Sequence, residues 1–515
     1  MAERRPADGT IRGRPPMAQR HLPSFRFGFA FVDLSLGAAY YCPMFEASVY
    51  DERRTRLCSL LRGRGMKGLV LLAAHSHSPI NYQANSYPFR QDSNWLYYIG
   101  LNEPDMVALV DIQDGATTLF ADELSIDDLV WTGPRESLAE RAFAAGIGSF
   151  LPLRSLAGAV EKKLGLLQVS RIQKDLLIPP LCRRETKAWL EGLLGLPGNA
   201  LEKGESETLI FSIIAMREIK EDREIREIER AVEISVEMHR GLLLSLKPGW
   251  TESEAAARVR YTAERRGCGL SFSTIATQSG EVLHNHVSEA RCREGSIFLL
   301  DAGAELPSGY AGDLTSSFPV GKAFSPRQAE LYKLLFAVLE GTTAGLEPGK
   351  RFREVHKTAS FLLAAGLKNL GIMKGDPEEA VEEGAHALFF PHGIGHMIGL
   401  DVHDMEGLGE DRVGYGDSPR STQFGLRSLR LAKAIVPGMV HSIEPGIYFI
   451  PGLIDKWKAE ALHDSFIDYE KLEAWRDCGG MRVEEDWLMT EKGPRRLGPV
   501  FDKSPQAVES ARRGI

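Results

Sequence analysis

Five segments in the second half of the chain each set a cation-ligating residue in or beside a short apolar run. They are FLLDAG (Asp301), GYAGDLTSSFPV (Asp313), FFPHGIGHMIGLDVHD (His396), HSIEPGIYF (Glu444) and GMRVEEDWLMTE (Glu484). Donors this far apart in sequence can serve one site only if the fold gathers their segments. Four carboxylates and one imidazole make an oxygen-rich, moderately hard set that suits Mn²⁺, Co²⁺ or Zn²⁺ better than a thiolate-seeking ion. Two such ions about 3.5–4 Å apart share bridging carboxylates and lower the pKa of a water held between them.

The first pair carries its own geometry. Asp301 follows SIFLL, which reads as a buried strand, and Asp313 follows a Gly-rich turn over 308–312 that reverses the chain toward it. Two unpaired carboxylates brought that close repel, and one protonates; a divalent cation removes the cost. Farther on, alternation along a strand sends Glu484 and Glu485 to opposite faces, and Glu484, behind Arg482, is the expected ligand.

At 515 residues the chain has room for two or three domains and a large core. Its net charge of −8 argues against nucleic acid or an anionic membrane as the main partner. No run of about 18 uncharged apolar residues marks a membrane span. The stretch 25–42, preceded by several arginines, faintly resembles a signal peptide, but Arg26 and Asp33 interrupt it and no small-residue cleavage pattern follows. The six cysteines have no C-x-x-C spacing, so they read as reduced thiols of a cytoplasmic protein.

Residues 46–200 read as an α/β unit, with a helix from Arg53 to Arg64 and strands at 68–74, 106–112 and 117–121. His75 and His77 there read as solvated loop residues. GLPGNALEKGESE (195–207) reads as a linker. Beyond it, Ile225, Ile228, Val232 and Val236 form the core stripe of a charged helix. Two passages then echo each other, LKPGWTESEAAARV near Pro248 and LEPGKRFREVHKTA near Pro348. Thr251 and Glu254 form a capping box in the first, and Ser325, Pro326 and Gln328 start the helix before the second. Such an echo is what an internally duplicated domain leaves behind.

Taken in order, the five segments resemble the pita-bread metallopeptidases, in the branch of Xaa-Pro aminopeptidase and Xaa-Pro dipeptidase (prolidase). PFRQDSNWLYYIGLNEPD (88–105) resembles the amino-terminal domain of aminopeptidase P. The resemblance implies an α/β (α+β) protein: an unassigned, disordered extension over 1–43, an amino-terminal α/β domain over 44–200, a pseudo-twofold duplicated catalytic domain over 208–500, and a tail over 501–515. It implies that Asp301 binds one metal, that Asp313 and Glu484 bridge two, and that His396 and Glu444 complete the other, with Mn²⁺ first and Co²⁺ or Zn²⁺ as alternatives. One residue more than the common family spacing separates the two aspartates, and it falls in the LPSG turn. His392 and His403 match positions that contact substrate or stabilise the tetrahedral intermediate. A further histidine is His284 or His286, with His286 preferred although Val287 stands where the family has Tyr. Glu444 is the acid/base for the leaving nitrogen, and Tyr448 and Arg482 border the proline pocket. Arg430 in GLRSLR matches the prolidase arginine that pairs with a dipeptide carboxylate. The implied activity is release of the first residue from Xaa-Pro peptides, with prolidase as the second reading. A non-catalytic binding protein of this fold is the remote one, and methionine aminopeptidase is disfavoured by the amino-terminal domain. The implied assembly is a homodimer.

Overall fold

The structure is a computed structural model that describes residues 43–201, 205–416 and 418–514. The extension expected over 1–43 lies, apart from Pro43, outside the described residues.

The amino-terminal unit begins with α1 (Ala47–Gly63), which starts six residues ahead of the helix expected at Arg53. Its apolar face, Leu57 and Leu61, is fully buried. Five strands make one mixed sheet: β1 (Leu69–Ala73), β2 (Val107–Asp111), β3 (Thr117–Phe120), β4 (Ser149–Leu151) and β5 (Leu176–Leu177), in the order β4-β3-β2-β1-β5. β1 pairs antiparallel with β2 and parallel with β5. Every residue of β1 is buried, which is why it reads as a continuous apolar run and not as an alternation. Between β1 and β2 lies α2 (Ser93–Tyr98), capped by Asp92, which accepts from Trp95 N. His75 is buried, with Nδ1 3.0 Å from Arg90 O, so the solvated reading holds only for His77.

The carboxy-terminal unit opens with α3 (Glu207–Arg217), which packs on α1. Two helical hairpins follow, α4 (Asp222–Ser245) with α5 (Glu252–Arg265), and α6 (Pro326–Ala344) with α7 (Phe352–Asn369). The capping box read at Thr251–Glu254 is present, and the helix start read at Ser325 is a second one, closed by Gln328. After the first hairpin come β6 (Ile275–Thr277), β7 (Ile297–Asp301) and β8 (Thr315–Pro319), in the order β8-β7-β6. After the second come β9 (Val440–Ile443), β10 (Gly446–Tyr448), β11 (Gly480–Arg482) and β12 (Glu485–Thr490), with β9 on β12 and β10 on β11.

The duplication is written in the backbone hydrogen bonds. Gly249 N donates to Cys292 O at 2.8 Å, and Gly349 N to Ile435 O at 2.7 Å. Glu252 N donates to Ala290 O at 3.1 Å, and Phe352 N to Lys433 O at 2.9 Å. Carried along the paired strands, the same correspondence sets Asp301 against Glu444, Thr277 against His396 and Thr315 against Glu484. The halves touch at one of these matched pairs, where Glu484 N donates to Thr315 O at 3.1 Å.

Of the segment set apart as a tail, residues 501–514 are built in. Helix α8 (Pro505–Arg513) packs on α4 and α6, and Arg512 donates to the carbonyls of Leu243, Leu246, Val320 and Gly321. No helix among the described residues is long and apolar enough to cross a membrane.

Candidate metal centre and cleft

Strand ends deliver most of the ligands. Asp301 closes β7, Asp313 stands two residues before β8, Glu444 directly follows β9, and Glu484 joins β11 to β12. His396 comes from a loop laid against β9: its N donates to Ser442 Oγ at 3.1 Å, and its carbonyl accepts Ser442 N at 2.9 Å. That approach needs glycine at 395, where a Cβ would lie 2.2 Å from Ser442 O. Ligand atoms of Asp313, His396 and Glu484 fall within 4.8 Å of one another. His396 Nε2 is 3.3 Å from Asp313 Oδ2 and 3.7 Å from Glu444 Oε1.

This crowding is expensive without a cation. Burial, and then repulsion from Asp301, hold Asp313 well above the usual carboxylate range. Burial, and then Asp313, push Glu484 up to about 8. Glu444 is likewise raised well above its ordinary value, by burial and then by Glu484. Asp301 Oδ1, Asp313 Oδ1 and Glu484 Oε1 are buried and have no hydrogen-bond partner. Several buried carboxylates with vacant acceptor atoms, joined by an imidazole, fit hard divalent cations and little else.

One guanidinium organises the remaining lone pairs. Arg482 donates to Asp301 Oδ2, to Thr315 Oγ1 at 3.0 Å and to Tyr448 Oη at 3.0 Å. Thr315 Oγ1 in turn donates to Glu484 Oε2 at 2.7 Å. Glu485 faces away and pairs with Arg496 at 3.1 Å, as strand alternation requires. Asp486, back on the ligand side, accepts Asp313 N at 2.9 Å. Sequence reasoning misses both Thr315 and Asp486. The signal is there, since each stands two residues beyond an expected ligand and therefore on the same face.

All five expected ligands lie on the wall of a cleft of about 1150 Å³. His392, His403, Arg430 and Arg482 line it too. Tyr448 does not: it is fully buried, its Oη engaged by Arg482 and by His392 Nε2 at 2.8 Å, so it braces these two and cannot border the proline pocket. Burial, reinforced by Arg482, pushes His392 down to about 3, which keeps its ring neutral. The His403 ring lies against that of His396, tilted by 55° with centroids 4.1 Å apart, and its Nδ1 is 3.3 Å from Glu406 Oε2. The same carboxylate accepts from Arg430 Nη1 at 2.6 Å, and Glu410 lies 3.5 Å from that nitrogen. His284 and His286 are both exposed on the cleft wall. Of the two, His284 is near enough for a charge on it to act on both His392 and His403.

Known proteins place this geometry in context. The profile described as Metallopeptidase family M24 matches residues 226–491, and that of the aminopeptidase P amino-terminal domain matches 50–168. Human Xaa-Pro dipeptidase is 30% identical over 477 residues, covering 90% of this chain and 92% of the relative. Xaa-Pro aminopeptidase of Escherichia coli (strain K12) is 28% identical over 441 residues, covering 83% and 89%. The structure of E. coli aminopeptidase P with the inhibitor Pro-Leu superposes with a TM-score of 0.73 at 26% identity, covering 91% of this chain and 99% of that one.

Proposed function

The chain belongs to metallopeptidase family M24, and on that footing we propose that it is a hydrolase that releases the amino-terminal residue from Xaa-Pro peptides. The observation that carries the reading is the convergence of Asp313, His396 and Glu484, with unpartnered carboxylate oxygens, on the wall of a large cleft. Asp301, Asp313, His396, Glu444 and Glu484 would hold two divalent ions, with Mn²⁺ proposed first. When bound, the ions supply Lewis acidity and an activated water for attack on the scissile carbonyl.

The chain's own groups do the rest. Glu444 Oε2, 3.7 Å from His392 Nδ1, is placed to hold a proton and return it to the prolyl nitrogen as the peptide bond breaks. That nitrogen carries no hydrogen before cleavage, so a site that recognises an N–H there would reject it. His403 and His284 offer ring donors to a developing oxyanion. Arg482, each of whose three nitrogens is engaged, by Thr315, Tyr448 and Asp301, fixes the site's shape.

Prolidase activity is the second reading, favoured by the presence of Arg430 on the cleft wall. Two carboxylates already balance its charge, and the cleft exceeds what a dipeptide fills; both support the aminopeptidase reading. The test is kcat/KM for a matched Xaa-Pro dipeptide and tetrapeptide on wild type and Arg430→Ala. The aminopeptidase reading expects a tetrapeptide preference that the substitution leaves in place. A dipeptide preference lost through a KM increase of roughly 10–100-fold, worth about 1.5–3 kcal/mol, would make Arg430 the carboxylate clamp and the protein a prolidase.

A cytoplasmic homodimer completes the proposal. The described cysteines are free. A second copy would also cover Ile126, Val130 and Trp131, exposed on one short helix of the amino-terminal unit.

A further inference from the structure

One buried cation beneath the centre has no part in the chemistry above. Lysine is almost never fully buried, because an ammonium taken from water must be paired and hydrogen-bonded to survive. Lys503 is 2% exposed. Its Nζ donates to Thr315 O at 3.2 Å and to Glu484 O, and lies 3.5 Å from Glu485 Oε1, which gives each of its three protons an acceptor. These carbonyls belong to the matched residues at which the two halves of the domain meet.

Their other bonds are already spoken for. Glu484 N donates to Thr315 O, and Thr315 Oγ1 donates to Glu484 Oε2. With Lys503 on its carbonyl, the Glu484 peptide is held on both sides and its carboxylate at one oxygen, leaving Oε1 as the free donor atom. Lys503 is itself fixed from behind. Tyr332 Oη donates to its carbonyl at 2.9 Å, Ser504 caps α8, and Arg512 ties that helix to four carbonyls.

From these contacts we infer that Lys503 is a positioning residue of the metal centre, through which the carboxy-terminal helix sets the aim of Glu484. The inference rests on the reading of Glu484 as a metal ligand. Partners behind a ligand typically contribute 10–100-fold to metal affinity or activity.

The test uses the full-length protein stripped of metal, with Lys503→Met, Lys503→Arg and Glu484→Gln beside wild type. Calorimetric titration with Mn²⁺ alone, thermal unfolding, and turnover of one Xaa-Pro substrate are measured on each. Lys503→Met is expected to bind Mn²⁺ roughly tenfold more weakly and to lose kcat in similar proportion, with KM within about twofold. Lys503→Arg, which keeps the charge and the donors, recovers most of both. A merely structural lysine would lower the unfolding temperature and leave Mn²⁺ affinity of the folded protein unchanged, and that result would overturn the inference. Should Lys503→Met fail to fold, Lys503→Gln, which retains a donor, takes its place in the same measurements, and unchanged Mn²⁺ affinity there would overturn the inference equally. Wild-type Mn²⁺ affinity in Glu484→Gln would overturn the ligand reading itself; weakened binding there beside wild-type affinity in Lys503→Met would overturn only the role of Lys503.

Discussion

At the scale of single residues, the centre is a place where charge is stored at a cost. Asp313, Glu444 and Glu484 are all raised above their ordinary values by burial and by neighbouring carboxylates, Asp301 among them, and the buried guanidinium of Arg482 donates to Asp301. Removing one of these carboxylates should therefore separate function from stability. Asp313→Asn or Glu484→Gln is expected to lower kcat by roughly a thousandfold or more, because each removes a donor of the proposed metal centre. The metal-free variants should unfold at no lower temperature than metal-free wild type, since a repelling buried charge has gone. Activity assays and thermal unfolding on the same preparations check both halves. Near-normal turnover in either variant, with metal content verified, would sink the two-metal reading. A variant that lost activity only because it had unfolded would refute the stability half of the prediction.

At the scale of elements, the amino-terminal unit reaches the site through Arg90 and α2. Arg90 donates to Leu400 O and pairs with Glu305 at 2.9 Å and Asp401 at 3.5 Å, while Ser93 Oγ donates to Asp401 Oδ1 at 2.7 Å. Leu400 and Asp401 lie on the segment between His396 and His403, so the first unit holds the loop that carries both histidines. Arg90→Ala is expected to cost roughly 10–100-fold in kcat/KM, the scale of a misplaced catalytic loop, although Arg90 does not line the cleft. Unchanged kcat/KM in a folded Arg90→Ala protein would show that the loop holds itself. This tie also marks what can be read in advance. The strands β1, β2 and β7 are legible because buried strands are continuous apolar runs, and the five ligand segments because each ligand sits in or beside such a run. The helix α2 is not, since all six of its residues are buried and no periodic face remains to betray it. Tyr448 is misplaced into the cleft by its sequence context, which does not show which partner a phenol meets. Lys503 arrives under Glu484 only through the docking of α8, and nothing in its own segment announces that contact.

At the scale of the whole molecule, acid sensitivity should come from histidines sealed inside it as neutral rings. His239 lies between Ser316 Oγ and Ala302 O, each 2.9 Å from a ring nitrogen, and burial followed by the charge of Lys503 pushes it down to about 3. His386 is buried with neither ring nitrogen partnered, and burial pushes it down to about 4. The sign follows from where the proton binds. In the unfolded chain each ring protonates as pH falls through about 6.5, while in the folded protein it stays neutral to much lower pH. The unfolded state therefore takes up more protons over this interval. Stability contributed by the neutral rings is fully present above about pH 6.5 and is lost as pH falls toward 4. For His386 the loss amounts to on the order of 3 kcal/mol by pH 4, at about 1.4 kcal/mol per unit. His386→Leu removes that group from the balance and offers the cavity an apolar side chain in place of two unpaired nitrogens. Denaturant unfolding of metal-free protein between pH 7.5 and 4.5 should then show a shallower loss of stability in the variant, by close to one proton in slope below pH 6. Parallel curves for wild type and His386→Leu would mean that His386 is protonated or solvated in the folded state, and that the acid sensitivity of the molecule arises elsewhere.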